Sequence, residues 1–233
     1  MKITYLGHSG TVVELTESIL VFDYYKGSVP PWPVGKKVYV FVSHVHFDHY
    51  NPEIFCWERQ VSDITYILSD DILEDSVPVD CRSRVRFVGA RKTVQIDEMT
   101  IKTLRSTDEG VAFFVQAEGK CIYHAGDLHW WHWKEEGAIF NEMMRRKYQG
   151  EIKKLSKETI DLAFLPADPR QEEAYVWGMA YFLEQVEVKR VCPIHLWGQY
   201  DVCRQLKEEA CLEAYQDRIV LVTREGEVFE WED

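Results

Sequence analysis

The 233-residue chain has no apolar run near the 18 or so residues that a membrane-spanning helix needs; its strongest apolar stretches, at 38–42 and 111–115, have the length of strands. No membrane partner is expected. It also has no C-x-x-C pair. Six cysteines (Cys56, Cys81, Cys121, Cys192, Cys203, Cys211) are scattered through a chain long enough to build a core without cross-links, which points to reduced thiols and a cytoplasmic location. Basic residues are scarce. With 27 Lys plus Arg against 39 Asp plus Glu, the net charge of −12 offers no general basic face for duplex nucleic acid. Low-complexity, repeated or linker-like segments are missing too, so residues 1–233 are expected to fold as one domain. The opening MKITYLGHSG alternates like a strand and lacks a secretory apolar region, so the mature protein is expected to start at Met1.

What is present divides into two kinds of pattern. Up to about residue 127, short segments rich in β-branched and aromatic residues dominate: KITYL, TVVEL, SILVFD, VYVFVS, ITYILS, VRFVG, TVQID, MTIKTLR, VAFFVQ and KCIYHAGD. Beyond residue 133 the period lengthens. Helices are expected at 136–156, 172–186 and 201–215, alternating with strand-like DLAFLP, RVCPIH and RIVLVT. Strands first and alternation later predict an α/β class chain with two packed sheets and helices on their outer faces. The proline-rich segment 28–37 reads as an ordered loop.

The chemistry concentrates in SHVHFDHYN, where an apolar strand runs into His44, His46, Asp48 and His49. An H-x-H-x-D-H string arises by chance in roughly one such chain in two thousand, so it demands a reason. Alternate residues leaving a strand project the same way, so His44 and His46 can grip one metal ion while Asp48 and His49 reach a neighbouring position. Imidazole with carboxylate suits zinc, or iron or manganese. Two further ligand-type residues, Asp127 in YHAGD and His195 in CPIH, also stand at strand ends.

The series HVHFDH, then AGD, then PIH resembles the metallo-β-lactamase superfamily of metal-dependent hydrolases. The opening YLGHSG and the YHAGD segment most resemble its small stand-alone members related to ascorbate-phosphate lactonases, over nearly the whole chain. The resemblance implies a four-layer αββα sandwich with one or two divalent metal ions at one edge. His44 and His46 would serve the first ion, Asp48, His49 and His195 the second, and Asp127 both. One departure stands out. The superfamily supplies a third histidine to the first ion from a loop before the bridging aspartate, and this chain has none between residues 50 and 123. In the corresponding LRSTDEG, Asp108 or Glu109 substitutes, or His124 moves in, or the first site is weak and the second fills first.

A metal ion with an open position acidifies bound water to a pKa of about 7 and polarises the bond to be attacked. A hydrolase of a small ester, lactone or phosphoester follows, zinc being the first choice of metal, a metal-held hydroxide the nucleophile, and Asp48 and Asp127 the catalytic carboxylates. Metal-bound imidazoles usually donate their second N–H to an acceptor, and Asp23 at the end of SILVFD fits that role, with His8 and His124 as further supporting or interior histidines. LHWWHW follows Asp127 at once. Trp130 and His132 are assigned there to a substrate pocket, with a contact between copies in a homo-oligomer as the other reading, and His129 and His132 are extra ligand candidates. In LPADPR, Arg170 either holds an anionic substrate group or pairs at the surface near Asp168. The competing functions are a phosphodiesterase acting on nucleotides or RNA, which a −12 chain without added arms disfavours, and a non-catalytic metal or ligand binder. A flavodiiron oxidoreductase would need H-x-E-x-D where His46 stands, and a flavin domain.

Overall fold

A computed structural model describes residues 1–231. Strands β1 (Lys2–Gly7), β2 (Gly10–Glu14), β3 (Ser18–Phe22), β4 (Lys37–Val42), β5 (Ile64–Ser69) and β6 (Val85–Val88) lie side by side in chain order. The first three are antiparallel, and β3 to β6 are parallel. The second sheet consists of β7 (Thr93–Ile96), β8 (Met99–Arg105), β9 (Val111–Ala117), β10 (Lys120–His124), β11 (Thr159–Pro166) and β12 (Glu187–Ile194), again in sequence order. Helices α1 (Ala138–Ile152) and α2 (Trp177–Gln185) precede β11 and β12, and α3 (Asp201–Glu208) follows. A last strand, β13 (Glu227–Glu230), returns to the first sheet beside β1.

The central strands of the first sheet are apolar on both faces because both faces are covered. On β3 and β4, Leu20, Phe22, Tyr39 and Phe41 point inward to the second sheet, while Ile19, Val21, Val38, Val40 and Val42 point outward to a separate cluster with Ile54, Phe55 and Trp57. That outer cover comes from 3₁₀ segments, Pro52–Arg59 and Val79–Arg84. Over the second sheet the cover is helical, with Tyr148 and Ile152 of α1 and Met179 and Phe182 of α2 joining the inter-sheet core. The architecture is the expected α/β sandwich of two mixed sheets between outer layers.

All ten early strand segments form strands, and the later expectations need three adjustments. The helix expected over 172–186 starts at Trp177, because Glu172 takes φ 51 and interrupts the preceding 3₁₀ segment Pro169–Val176. The helix expected over 201–215 stops at Glu208; Glu209 is extended and its carboxylate accepts a 2.7 Å hydrogen bond from the Tyr175 hydroxyl. RIVLVT makes a single bridge, Ile219 to Val191, rather than a strand. Ile219, Val220 and Val222 are nonetheless buried, so burial and not sheet pairing accounts for their apolar character. Among the described residues no helix is long and apolar enough to cross a membrane.

Candidate metal centre

The ends of β3, β4, β10, β11 and β12, with the β1–β2 and β8–β9 turns, meet at one edge of the sandwich. Asp23 follows β3, His44 and the H-x-H-x-D-H turn follow β4, Asp127 follows β10, Asp168 follows β11, and His195 follows β12. His8 comes from the first turn and Asp108 from the second. His8, Asp23 and His195 take φ of 52, 44 and 63, a left-handed region that residues with a Cβ rarely adopt. With these conformations His8 and His195 bring their rings to one group, and Asp23 reaches Ser43 and His49 from behind it.

Two groups of four side chains result. His8, Asp48, His49 and His195 bring ligand atoms within 4.8 Å of one another, and so do His44, His46, Asp108 and Asp127. Asp127 joins the groups: Oδ1 lies 3.1 Å from His49 Nε2 and 3.4 Å from His195 Nε2, while Oδ2 lies 3.7 Å from His44 Nε2. The Nε2 atoms of His8, His44, His49 and His195 and Oδ1 of Asp127 are all buried without a hydrogen-bond partner. Five partnerless ligand atoms shared between two adjoining groups are costly unless something binds them. Divalent cations in the two groups would satisfy them, so the residues fit a metal.

The ring orientations are fixed from behind. Asp23, wholly buried, accepts from the Ser43 N–H at 2.7 Å, from the Ser43 hydroxyl at 2.7 Å and from His49 Nδ1 at 2.8 Å. A Ser43 hydroxyl that donates to Asp23 receives His44 Nδ1–H at 2.9 Å, so one carboxylate sets the tautomer of an imidazole in each group. Asp168 does the same for His195, whose Nδ1 lies 3.0 Å from its Oδ2. Burial would raise the Asp48 carboxyl, but the adjacent His8 and His49 outweigh it and hold it at about 2. Burial likewise acts against ionisation of Asp127, and the neighbouring His49, His195 and His44 drive it well below the usual carboxylate range. Burial lowers His44 and His8 to about 4, leaving both neutral near pH 7, the form in which imidazole binds metal. Burial and the charge of Asp127 raise the Asp108 carboxyl, an acidic pair that a cation would relieve.

The β8–β9 turn brings Asp108 Oδ2 to 3.4 Å from His46 Nδ1, with Glu109 3.7 Å from His46 Nε2. Of the candidates for the missing histidine's place, Asp108 is the one in the His44, His46 and Asp127 group. His124 is not. Its Nδ1 accepts from the Gly126 N–H at 3.1 Å, its Nε2 faces the Ser9 carbonyl at 3.0 Å, and its ring stacks on Phe22, so backbone groups use both nitrogens. The turn can reach His44 only because position 110 is glycine. At φ 66, a Cβ there would stand 2.0 Å from the Ser43 carbonyl oxygen and 2.7 Å from His44 Cβ. Gly110→Ala is expected to destabilise the fold by roughly 2–5 kcal/mol through left-handed strain and overpacking, measured by denaturant unfolding.

A model of the β-lactamase superfamily domain matches residues 2–140, well over half of the chain. The chain belongs to the β-lactamase superfamily. It is similar to a UPF0173 metal-dependent hydrolase of Methanosarcina barkeri, 25% identical over 97% of each chain. Among solved structures it resembles Igni18, a metallo hydrolase from Ignicoccus hospitalis, with TM-score 0.66 and 18% identity over 99% of both chains. It also resembles YhfI of Bacillus subtilis, a metallo-β-lactamase fold protein, with TM-score 0.64 and 14% identity over 98% of this chain and 99% of that one. These likenesses show the fold, and the two groups of side chains meet at one edge of it.

A cavity of about 410 Å³ opens over this edge, lined by His46, Asp48, Asp108, Asp127 and His195 and walled by Trp131, Trp133 and Trp197. Phe140 and Met144 of α1 complete the wall. The tryptophan run thus splits. Trp131 and Trp133 face the cavity, whereas Trp130 and His132, expected at the substrate, turn to a second cavity and pack on Trp177. His129 is interior, with Nε2 2.7 Å from Gln171 Oε1. Arg170 lines the main cavity, but its Nε and Nη2 donate to Asp168 at 2.6–3.0 Å and its guanidinium lies over Trp197. Its first task is therefore to hold Asp168 behind His195. Reasoning from sequence set Asp168 beside Arg170 without linking it to His195; the signal was available, since Asp168 ends β11 as Asp23 ends β3. Asp168→Asn is expected to weaken metal binding about 10- to 100-fold, read by competition with a chelator.

Proposed function

We propose that this metal-dependent hydrolase cleaves a small-molecule ester, lactone or phosphoester, with zinc as its metal and the cytosol as its compartment. One observation carries the reading: Asp127 joins two groups of ligand-type side chains, five of whose atoms are buried without a partner, beneath an aromatic-walled cavity. His44, His46, Asp108 and Asp127 would hold one ion, and His8, Asp48, His49 and His195 lie where a second would sit. The mixture of imidazole and carboxylate donors supports zinc. A divalent ion bound there supplies Lewis acidity and makes water acidic enough to attack near neutral pH. Asp48, held ionised at the cavity, accepts the proton that water loses on a carboxylate oxygen. Trp131, Trp133 and Trp197 exclude bulk water and favour a substrate with an apolar or planar part. The cavity volume supports a small substrate rather than a polymer. Six free cysteines support a reducing compartment.

The test combines elemental analysis with a panel of esters, lactones, phosphomonoesters and phosphodiesters. The expected result is stoichiometric zinc and turnover of at least one class. Fully metal-loaded protein that turns over none of them would instead support a binding protein.

A further inference from the structure

We propose that His8, on the β1–β2 turn, is itself a metal ligand, the fourth side chain of the buried group with Asp48, His49 and His195. This rests on reading that group as a metal site. Its Nε2 lies 3.2 Å from Asp48 Oδ2, and its ring centroid is 4.1 Å from that of His195 and 5.6 Å from that of His49. Ligand atoms around a tetrahedral ion with bonds of about 2.0–2.1 Å stand about 3.4 Å apart. Within the group the His8–Asp48 contact, at 3.2 Å, has that spacing, and His49 and His195 each stand 4.0 Å from the same Asp48 oxygen.

The other observations concern how His8 is held. Its Nε2 is buried without a hydrogen-bond partner, as are those of His49 and His195. Its carbonyl accepts the Tyr5 hydroxyl at 2.8 Å and the His195 N–H at 3.0 Å, so the backbones that carry the two imidazoles are tied to each other. These bonds hold the two-residue hairpin turn His8–Ser9, whose first position takes the φ of 52 that such a turn calls for. Tyr25 and Trp197 wall the ring edge-on. A histidine serving only to fill space would not need a partnerless nitrogen set among the ligand atoms of Asp48, His49 and His195.

The consequence bears on the superfamily histidine that this chain lacks. The His44 group keeps two imidazoles, one of them half-exposed with the His46 side chain at 42%, and completes itself with carboxylates. The His8 group holds three buried imidazoles. The first equivalent of zinc therefore enters the His8 group.

The test needs no variant in its first arm. With one equivalent of zinc bound to the wild-type chain, X-ray absorption at the zinc edge should count three imidazoles; a count of two overturns the proposal. The second arm uses His8→Gly, since glycine suits φ 52, with folding checked by thermal unfolding of metal-free protein. Zinc affinity should fall about 100-fold or more, the spectrum of the cobalt-substituted protein should change, and added imidazole should restore both. Zinc affinity within about threefold of wild type with an unchanged cobalt spectrum, while His49→Ala loses the metal, would remove His8 from the ligand set and leave the metal site standing. Zinc retained by His49→Ala and Asp127→Asn alike would overturn both the site and this proposal.

Discussion

Asp127→Asn should abolish hydrolysis, with kcat/KM lowered by about 10³-fold or more, and should reduce bound metal at both groups together. Asp127 faces both with its carboxylate: Oδ1 toward His49 and His195, Oδ2 toward His44. Asparagine keeps the shape, but it removes the negative charge and turns one acceptor atom into a donor pointed at partnerless Nε2 atoms. The predicted signature is correlated loss. Elemental analysis of the variant should show the metal content of both groups falling, where His46→Ala should affect the half-exposed group alone. Normal metal content in Asp127→Asn would separate the carboxylate from metal binding.

Asp23→Ala should have the largest effect on folding, a loss of about 3–5 kcal/mol. Asp23 is inaccessible to solvent and accepts three hydrogen bonds of 2.7–2.8 Å, from the Ser43 N–H, the Ser43 hydroxyl and His49. Its carboxyl stays below its ordinary range because, against the opposing effect of burial, His124 and His49 favour the charged form. Truncation leaves those donors unpaired in a site water does not reach. Metal affinity should fall as well, since His49 loses its tautomer-setting partner directly and His44 loses its own through Ser43. Urea unfolding of metal-free protein measures the first effect, and chelator competition measures the second. A variant with wild-type stability but weakened metal binding would confine Asp23 to orienting the rings.

Much of the fold is legible in the sequence because both faces of the central strands are covered. Alternate residues of VYVFV are apolar whichever way they point, and no other role accommodates five such residues together. RIVLVT carries the same composition and misleads, because Ile219, Val220 and Val222 are buried without sheet pairing beyond one bridge. Hydrophobicity records burial, and burial alone does not specify a ladder. β13 shows the reverse. Its residues are intermediate or exposed, and its place is set by pairing with β1.

At the metal edge, His44, His46, Asp48 and His49 are legible because the four fall within six consecutive positions whose spacing has a mechanical meaning. Asp127 and His195 gain meaning from their order behind that motif, and the structure brings both of them to it. The tryptophan run marks a site but not its sides. Residues 130 to 133 alternate direction after Asp127, so Trp131 and Trp133 reach the cavity while Trp130 and His132 lie against Trp177.

Local pattern and residue chemistry suffice to read two sheets and a metal-type motif leaving a buried strand from the amino-acid order alone. Only the tertiary structure decided which distant residues complete the groups: His8 from the first turn, Asp108 from a turn that Gly110 lets approach His44, and Asp168 behind His195. Their places at turns and strand ends mark them as candidates without saying which side chain each one meets. A histidine in an opening turn and an aspartate before a proline acquire a role from what the packing of two sheets sets opposite them, and that packing depends on the whole core at once.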